Sequence, residues 1–360
     1  MMEQSFKGKN IFITGSTGFK GSWLSQWLYD LGANVTGFSL KPDTTPSLFE
    51  SLGLEKKINQ IYGDINDLKT LKYELAKANP EIVFHLAAQP IVSISYEEPV
   101  STFQTNVMGT VNVLESIRTA TTVKAVIVVS SDKCYQNNNW PYGYRETDAM
   151  GGYDPYSASK GCVELVVASY RNSFFNPINY GLTHKVAIAS ARAGNVIGGG
   201  DWANERLIPD CIKAINENEM ISLRNPYATR PWQHVLDALY GYLTLASALL
   251  KDGVKFSEAW NFGPSTQSIH TVEEMVNKII LSFGKGEYKV IDMKVYHEAS
   301  SLKLDISKAV SMLKWEPVLN TDDAIRMTAD WYKKFYEQKD GIVDFTSEQI
   351  TAFTKKTKRK

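Results

Sequence analysis

The sequence has few cysteines, no excess charge of either sign and no long hydrophobic run. None of its three cysteines lies in the C-x-x-C spacing of a redox or zinc motif, and its five histidines show no metal-ligand spacing. We therefore expect neither a disulfide framework nor a metal site. Lys plus Arg and Asp plus Glu each number 39, so no net charge attracts nucleic acid or a membrane surface.

No apolar stretch is long and continuous enough to predict a membrane-spanning helix. The stretch 235–250 is interrupted by Asp237, Gly241 and Thr244, and the first residues contain no signal-peptide core. We expect a cytoplasmic protein without membrane or nucleic-acid partners. The length of 360 residues predicts about two domains.

The first specific pattern is an apolar run at 10–14 followed by Gly15, Gly18 and Gly21 in G-x-x-G-x-x-G spacing. It predicts a strand, a sharp turn, and a helix whose free N–H groups face an anion. Glycine spacing alone is a weak signal, and a tight turn without a ligand is the alternative. The position between a strand and a helix is the context that a dinucleotide-binding turn requires. We assign cofactor contacts to Gly15, Thr17, Gly18, Phe19, Lys20 and Gly21.

Strands and helices alternate through most of the chain. Strands are predicted at 10–14, 34–38, 57–62, 82–86, 123–130, 185–192 and 259–263. Helices are predicted from the glycine turn to about 31 and at 67–78, 100–118, 156–171, 234–250, 271–283 and 321–337. This order predicts an α/β fold with a Rossmann-type, doubly wound parallel sheet and a smaller, interleaved α/β substrate-binding domain.

The predicted domains share the chain in an interleaved way. We assign 1–194 plus about 233–263 to the cofactor domain, and about 195–232 plus 264–360 to the substrate domain.

The end of the second strand lacks the acidic residue that usually binds the ribose of NAD. The sequence there reads Ser39-Leu40-Lys41. Ser39 can hydrogen-bond a ribose hydroxyl, whereas Lys41, if it points inward, favours the 2′-phosphate of NADP. The later strand ends supply further cofactor candidates, namely Asp64, Ile65, Leu86, Ala87, Ala88 and Gln89.

The stretch after the fifth strand carries the residues with catalytic chemistry. Ser131, Asp132 and Lys133 follow that strand, at the edge where α/β sheets bind ligands. Tyr156 and Lys160 begin a helix and lie one turn apart on one face. A tyrosine whose pKa is near ~10 needs a nearby ammonium to act as a base at neutral pH. By chance alone, Y-x-x-x-K is usually a solvated helix face, and Asp132 with Lys133 could be an ordinary ion pair.

Together the motifs resemble the extended short-chain dehydrogenase/reductases over nearly the whole chain. The resemblance rests on the glycine turn, the His-Leu-Ala-Ala run at 85–88, Asn106, the Ser-Asp-Lys strand end, Y-x-x-x-K and the segment 192–196. Within that superfamily the chain is similar to the nucleotide-sugar 4,6-dehydratases. The segments 198–202 (GGGDW) and 230–234 (RPWQH) resemble the branch that acts on CDP-glucose.

One local difference separates two activities of this superfamily. Most sugar-nucleotide 4,6-dehydratases carry Asp-Glu after the strand-end hydroxyl residue, whereas this chain carries Asp132-Lys133, as the CDP-glucose branch does. A 4-epimerase needs no acid and base at C6 and C5, so the pair favours a dehydratase. The resemblance implies NAD as cofactor and CDP-glucose as substrate, with CDP-4-keto-6-deoxy-glucose and water as products. The catalytic residues would be Ser131, Asp132, Lys133, Tyr156 and Lys160.

The resemblance also implies binding residues and an assembly. It adds Asn106, Ser130, Tyr156 and Lys160 to the cofactor site. It assigns the substrate to Gln89, Asn195, Arg206, Leu207, Arg230 and His234, with Arg224 as another candidate for the diphosphate. Because the family pairs through the helices at 100–118 and 156–171, we expect a homodimer or a dimer of dimers; their apolar faces could equally be core.

Two alternatives stay open at this point. The first is another nucleotide-sugar 4,6-dehydratase or a 4-epimerase on the same scaffold. The second is a cofactor-binding sensor that kept the fold without the activity, although such relatives tend to lose the tyrosine or the lysine that this chain retains at 156 and 160.

Overall fold

The computed structural model describes residues 2–265, 269–291, 302–338 and 340–358. The strands are β1 (Asn10–Thr14), β2 (Asn34–Ser39), β3 (Asn59–Tyr62), β4 (Ile82–His85), β5 (Ala125–Val129), β6 (Ala187–Ala193), β7 (Asn195–Ile197), β8 (Ile221–Leu223), β9 (Thr229–His234), β10 (Ala259–Phe262), β11 (Ile269–Thr271) and β12 (Tyr288–Val290). The helices are α1 (Met2–Phe6), α2 (Phe19–Asp30), α3 (Leu48–Ser51), α4 (Leu68–Ala78), α5 (Val92–Glu97), α6 (Pro99–Phe103), α7 (Gly109–Arg118), α8 (Pro155–Ser173), α9 (Leu207–Glu217), α10 (Val235–Asp252), α11 (Val272–Phe283), α12 (Thr321–Glu337) and α13 (Ile342–Thr357).

Seven parallel strands form the main sheet in the order β10-β6-β5-β4-β1-β2-β3. The chain starts at β1, builds outward through β2 and β3, then returns to the other side of β1 with β4. This reversal leaves a crevice at the carboxyl ends of β1 and β4, which is where such sheets bind ligands. The predicted Rossmann-type fold class is confirmed.

Helices cover both faces of the main sheet, so its central strands are apolar on both sides. All five residues of β5 are buried. Along β1 the faces alternate: Ile11 and Ile13 pack on the side of α2 and α10, whereas Phe12 packs on the side of α4, α7 and α8. This alternation fixes which side chains pack against the helices on each face of the sheet.

The predicted helix at 100–118 is continuous but not regular. It consists of α6, a π turn at Gln104–Met108 and α7. Asn106 lies in the π turn and is buried. A π turn inserts one residue into a helical turn and often marks a functional position. Here it directs the Asn106 amide toward the loop that follows β4.

The helix α8 begins at a strong local signal. The Asp154 carboxylate accepts a hydrogen bond from the Ser157 backbone N–H at 2.8 Å, and Pro155 occupies the first helical position. The cap fixes where the helix starts and therefore where Tyr156, in its first turn, projects.

Smaller sheets lie beyond the main one. β11, β9 and β7 form a three-stranded sheet, and β12 pairs with β8. α10 then packs against the main sheet, and β10 extends it at the edge of β6. The predicted domain boundaries remain a prediction, and residues 266–268, 292–301, 339 and 359–360 of the second range lie outside the described residues.

α13 was missed by the sequence prediction, which ended its last helix at 337. Its apolar residues Ile342, Ile350 and Phe353 are buried, and the Phe353 ring packs edge-on against Trp27 of α2. Most of the positions between these three are polar or charged, so the apolar stripe is narrow. In the described ranges, no helix has both the length and the hydropathy needed to cross a bilayer.

A buried carboxylate ties α10 to the segment before α12. Asp237 is fully buried, and its two oxygens accept hydrogen bonds from the backbone N–H groups of Val318 at 2.6 Å and Leu319 at 3.3 Å. Removing the carboxylate leaves both backbone N–H donors without this acceptor, which lowers the free energy of unfolding by about 2–3 kcal/mol.

We therefore expect Asp237→Ala to lower the free energy of unfolding by about 2–3 kcal/mol in urea titrations followed by circular dichroism. The control is Asp322→Ala, which removes an exposed carboxylate paired with Lys278 and should change stability by less than about 0.5 kcal/mol. Equal stability of the two variants would contradict the tie between α10 and this segment.

Candidate active site

A cleft of about 1210 Å³ opens at the carboxyl ends of the main strands and continues between them and the smaller sheets. It is lined by most of the residues that the sequence assigns to a site, namely Gly15, Thr17, Gly18, Phe19, Lys20, Gly21, Ser39, Asp64, Ile65, Leu86, Ala87, Ala88, Ser130, Ser131, Asp132, Lys133, Tyr156, Lys160, Asn195, Arg206, Leu207 and Arg230. The structure thus brings these side chains to one cavity, while their individual roles remain predictions.

Each glycine of the first turn has a different structural reason. Gly15 has φ +75°, and a Cβ there would lie 2.7 Å from the backbone N of Ala87. A Cβ on Gly21 would lie 2.0 Å from the carbonyl O of Gly15. Gly18 meets no such obstacle, because a Cβ added there would have the same carbonyl O as its nearest neighbour, at 3.5 Å. The missing side chain at Gly18 therefore leaves open space in the cleft and is not needed to avoid an overlap within the protein.

The first turn of α2 is suited to an anion. The helix starts after Gly18 with no side-chain cap and no acidic residue in its first turn, so its N–H groups are open to the cleft. Lys20 adds an ammonium on the same wall. Burial and the charges of Arg206 and Lys160 lower the pKa of Lys20 to about 8. A bound pyrophosphate would supply the negative charge that this wall lacks.

The end of β2 carries a buried hydroxyl in place of an acid. The Ser39 Oγ lies 3.1 Å from the Ser16 Oγ and accepts a hydrogen bond from the Gln60 side chain at 3.2 Å. Lys41 also lines the cleft, with its Nζ 6.0 Å from the centre of the Tyr62 ring. Both the ribose-binding and the phosphate-binding candidates of the sequence therefore lie on this wall.

His85 joins the strands beneath the crevice. Its ring nitrogens lie 2.6 Å from the Thr14 hydroxyl and 3.0 Å from the Thr110 hydroxyl. Burial, with a contribution from the charge of Lys160, lowers the pKa of His85 to about 3, so the ring is neutral at physiological pH. It holds the strand ends and helix together and does not line the cleft.

Asn106 and Gln89 do not line the cleft, and their assignment to the ligands stays a prediction. The Asn106 side chain accepts from the Gln89 backbone N–H at 2.8 Å and donates to the Ser159 hydroxyl at 2.8 Å. The Gln89 side chain turns back to the Ile91 backbone and the Thr102 hydroxyl. Both amides use their polar atoms within the protein, where they shape the loop after β4 and fix it to α8.

His234 likewise does not line the cleft, and its assignment to the substrate stays a prediction. It is fully buried, its Nδ1 accepts from the Leu236 N–H at 3.2 Å at the start of α10, and its ring packs against the edge of Trp23. Burial lowers its pKa to about 3. The ring of His234 therefore packs in the core beside α2 instead of facing the cleft.

The strand-end acid lies in a tight backbone environment. The Ser131 hydroxyl donates to Asp132 at 3.0 Å and accepts from the Lys133 backbone N–H at 3.2 Å. A Cβ on Gly194 would lie 2.8 Å from an Asp132 oxygen. Burial raises the pKa of Asp132 even though Lys133 and the Ser131 hydrogen bond act to lower it. Burial thus shifts this carboxyl toward its protonated form relative to a solvated aspartic acid.

Two lysine side chains approach the ring of Tyr156. The Nζ atoms of Lys133 and Lys160 are 5.9 and 6.0 Å from the centre of its ring. Burial raises the pKa of Tyr156 to about 12, although a hydrogen bond with Ser131 acts to lower it. Burial lowers the pKa of Lys160 to about 8. The phenol needs further positive charge before it can act as a base at neutral pH.

The opposite wall presents cations and an indole. Arg206 donates to the Asp201 carboxylate at 2.9 Å, and Arg230 donates to the Thr229 carbonyl at 2.9 Å. Both guanidiniums, with the exposed Arg224, line the cleft and are suited to a diphosphate. Trp232 also lines it, and its indole N–H has no hydrogen-bond partner among the described residues.

The sequence prediction missed part of this lining. Trp232 and the polar segment 136–139 lie on the wall but had no assigned role. The sequence does contain a signal for residues 136–139, namely a run of amide side chains shortly after Ser131, Asp132 and Lys133.

A dinucleotide-type turn beside a Tyr–Lys pair at the ends of a parallel sheet defines an enzyme of the short-chain dehydrogenase/reductase type. The family model described as GDP-mannose 4,6 dehydratase matches residues 12–328, and the chain belongs to this family.

The relatives include dehydratases and epimerases. Over 345 residues the chain is 49% identical to a CDP-glucose 4,6-dehydratase from Salmonella typhimurium, covering 95% of this chain and 96% of that protein. Its fold resembles that of an epimerase from Methanothermobacter thermautotrophicus, with a TM-score of 0.79, 23% identity and coverage of 94% and 96%. It also resembles the dTDP-glucose 4,6-dehydratase DesIV from Streptomyces venezuelae, solved with NAD bound, with a TM-score of 0.77, 22% identity and coverage of 92% and 99%.

The glycine turn offers a matched pair of substitutions. We expect Gly18→Ala to fold normally, because its φ of −74° suits any residue, but to weaken NAD binding about 10-fold or more as the methyl group enters the cleft. Gly21→Ala should instead lower the melting temperature, since its methyl group overlaps the Gly15 carbonyl. Calorimetric titration with NAD and thermal melts measure the two effects. Unchanged NAD affinity in Gly18→Ala would contradict a cofactor at this turn.

Proposed function

We propose that the protein is a CDP-glucose 4,6-dehydratase, which converts CDP-glucose to CDP-4-keto-6-deoxy-glucose and water. The observation that carries the proposal is the joining of Asp132 and Lys133 to Ser131, Tyr156 and Lys160 in one cleft. The near full-length similarity to a CDP-glucose 4,6-dehydratase supports the same substrate.

The residues present suit NAD. The uncapped start of α2, the space left by Gly18 and the ammonium of Lys20 would hold its pyrophosphate, and Ser39 would face the adenosine ribose. When bound, NAD supplies the redox chemistry, taking a hydride from C4 of the glucose unit and returning one to C6, and its positive charge favours a phenolate.

Tyr156 is the base for the first step. As a phenolate it removes the proton from the 4-hydroxyl, while the Ser131 hydroxyl holds that same oxygen by a hydrogen bond. The ammonium of Lys160 stabilises the phenolate in a site where burial opposes it. The product of this step is a 4-keto sugar.

Asp132 and Lys133 perform the dehydration. The 4-keto group acidifies the C5 proton, which Lys133 removes, and Asp132 protonates the 6-hydroxyl as it leaves as water. Once C6 has received a hydride, C5 takes a proton back from Lys133. Lys133 must be neutral to act as a base. We propose that the two side chains share one proton, with neutral Asp132 and neutral Lys133 in the productive form. The raised pKa of Asp132 supports this arrangement.

The substrate diphosphate is proposed to bind Arg206 and Arg230, with Asn195 and Leu207 beside the sugar. A cytoplasmic location and a homodimer or dimer of dimers are also proposed. Exposed apolar side chains on the helices of the expected dimer interface support pairing: Val100 is 77% exposed and Leu165 is 61% exposed.

The function is tested by incubating the protein with NAD and CDP-glucose and measuring product mass. We expect a product lighter by one water, with no net reduction of NAD, and much slower turnover of UDP-glucose and dTDP-glucose. A product of unchanged mass would identify a 4-epimerase and overturn the proposal. NAD binding without turnover of any nucleotide sugar would favour the sensor alternative.

The role of Lys133 can be separated from that of Tyr156. We expect Lys133→Met to keep C4 oxidation, seen as transient absorbance of reduced cofactor, but to lose exchange of solvent deuterium into C5 by about 100-fold or more. The control is Lys124→Met, which removes an exposed ammonium paired with Glu81 and should leave exchange unchanged. Unimpaired exchange in Lys133→Met would remove Lys133 from the role of base.

A further inference from the structure

A buried carboxylate lies one helical turn after Lys160. The Glu164 side chain is 4% exposed. It accepts hydrogen bonds from the Ser130 hydroxyl at 2.5 Å, the Ser190 hydroxyl at 2.7 Å and the Arg192 guanidinium at 2.7 Å. These donors come from the end of β5 and from β6, so a single side chain joins α8 to two strands of the main sheet.

The joined elements are those that carry the proposed catalytic residues. α8 carries Tyr156 and Lys160 in its first two turns, and β5 leads directly into Ser131 and Asp132. The spacing between phenol, ammonium and acid therefore depends on how α8 sits against β5. Glu164 makes polar contacts that hold α8 against β5 and β6, one helical turn beyond Lys160.

The charge of Glu164 is balanced on the side away from the cleft. Burial acts to raise its pKa, but the Arg192 guanidinium and the hydrogen bonds outweigh burial and lower it. Arg192 also donates to the Tyr135 hydroxyl at 2.6 Å, which in turn donates to Asn261 at 2.7 Å. The carboxylate is thus held ionised by a network that extends to β10.

Several groups act electrostatically on Lys160 from the surrounding elements. Lys20 of α2 is a cation. His85 of β4 is held neutral by burial, and burial raises the pKa of the Cys134 thiol, so it also stays neutral. Tyr156 shares the helix with Lys160. Glu164 is the ionised carboxylate that raises the pKa of Lys160 against burial.

We infer that Glu164 is a positioning residue that fixes α8 on the sheet and keeps the Lys160 ammonium charged beside Tyr156. The inference rests on the proposed function for its catalytic consequence, but its effect on Lys160 can be measured without substrate.

The direction of the expected pH effect follows from the charge. In Glu164→Gln the ammonium of Lys160 is lost at a lower pH than in the wild type, because its anionic neighbour is gone. The alkaline limb of the kcat/KM profile should therefore move to lower pH by about one unit. kcat should fall about 10-fold or more, with KM for CDP-glucose little changed.

The experiment compares variants that separate the charge of Glu164 from the length of its side chain. Glu164→Gln keeps the length of the side chain and loses the charge, whereas Glu164→Asp keeps the charge and retracts it from Ser130, Ser190 and Arg192. We expect Glu164→Asp to lower kcat about 10-fold while the alkaline limb stays in place. The matched control is Glu81→Gln, which removes a carboxylate paired with Lys9 and Lys124 at the opposite end of the strands.

The titration of Lys160 gives a readout that does not require turnover. Subtracting the lysine side-chain NMR titration of Lys160→Met from that of the wild type gives the ionisation of Lys160, and the same subtraction is made in the Glu164→Gln background. A shift of Lys160 ionisation to lower pH supports the inference, and an unchanged titration overturns it. If Glu164→Gln does not fold, wild-type kcat in Glu164→Asp overturns the inference and reduced kcat with an unmoved limb supports it. Failure of the wild type to turn over CDP-glucose would refute the proposed function alone.

Discussion

The site depends on a competition between burial and positive charge at one phenol. Burial raises the pKa of Tyr156 to about 12, which favours the protonated form and opposes a base. A hydrogen bond with Ser131 and the positive charge of Arg206 act in the other direction. The same burial makes each charge more effective, because little water is present to screen it. A solvated phenol would ionise more easily, but neighbouring charges would then have a smaller effect on its pKa.

The sheet topology brings Tyr156 and the groups around it to the carboxyl edge of the strands. The reversal of strand order beside β1 opens the crevice, and the parallel direction of the strands brings the glycine turn, the loop after β4 and the Ser131 turn to one edge. Residues that are far apart in sequence therefore line the same cleft, and no single segment of the chain forms it alone. The buried ion pair of Glu164 with Arg192 holds the catalytic helix against two of these strands.

Much of this could be predicted from the sequence, because the signals were local. The glycine turn, the strand ends and the Tyr156–Lys160 spacing each depend on a few neighbouring residues, and the structure brings them to one cleft. The direction in which a side chain points is not a local signal. Asn106, Gln89 and His234 lie close in sequence to residues that line the cleft, but whether an amide or an imidazole faces a ligand depends on tertiary partners such as Ser159 or Trp23. Glu164 was visible four residues after Lys160, whereas its partners at 190 and 192 could be identified only in the folded chain.

The close approach of Gly194 to Asp132 limits how this enzyme can be altered. Because a methyl group at position 194 would lie 2.8 Å from the acid's oxygen, any larger residue there must displace that side chain or the strand that carries it. Directed evolution toward other sugars would therefore have to leave this position untouched and gain its diversity from the exposed loops around Arg224, on the far wall. The side chain proposed as the proton donor therefore lies beside a position that tolerates no larger residue, whereas the exposed loops can vary.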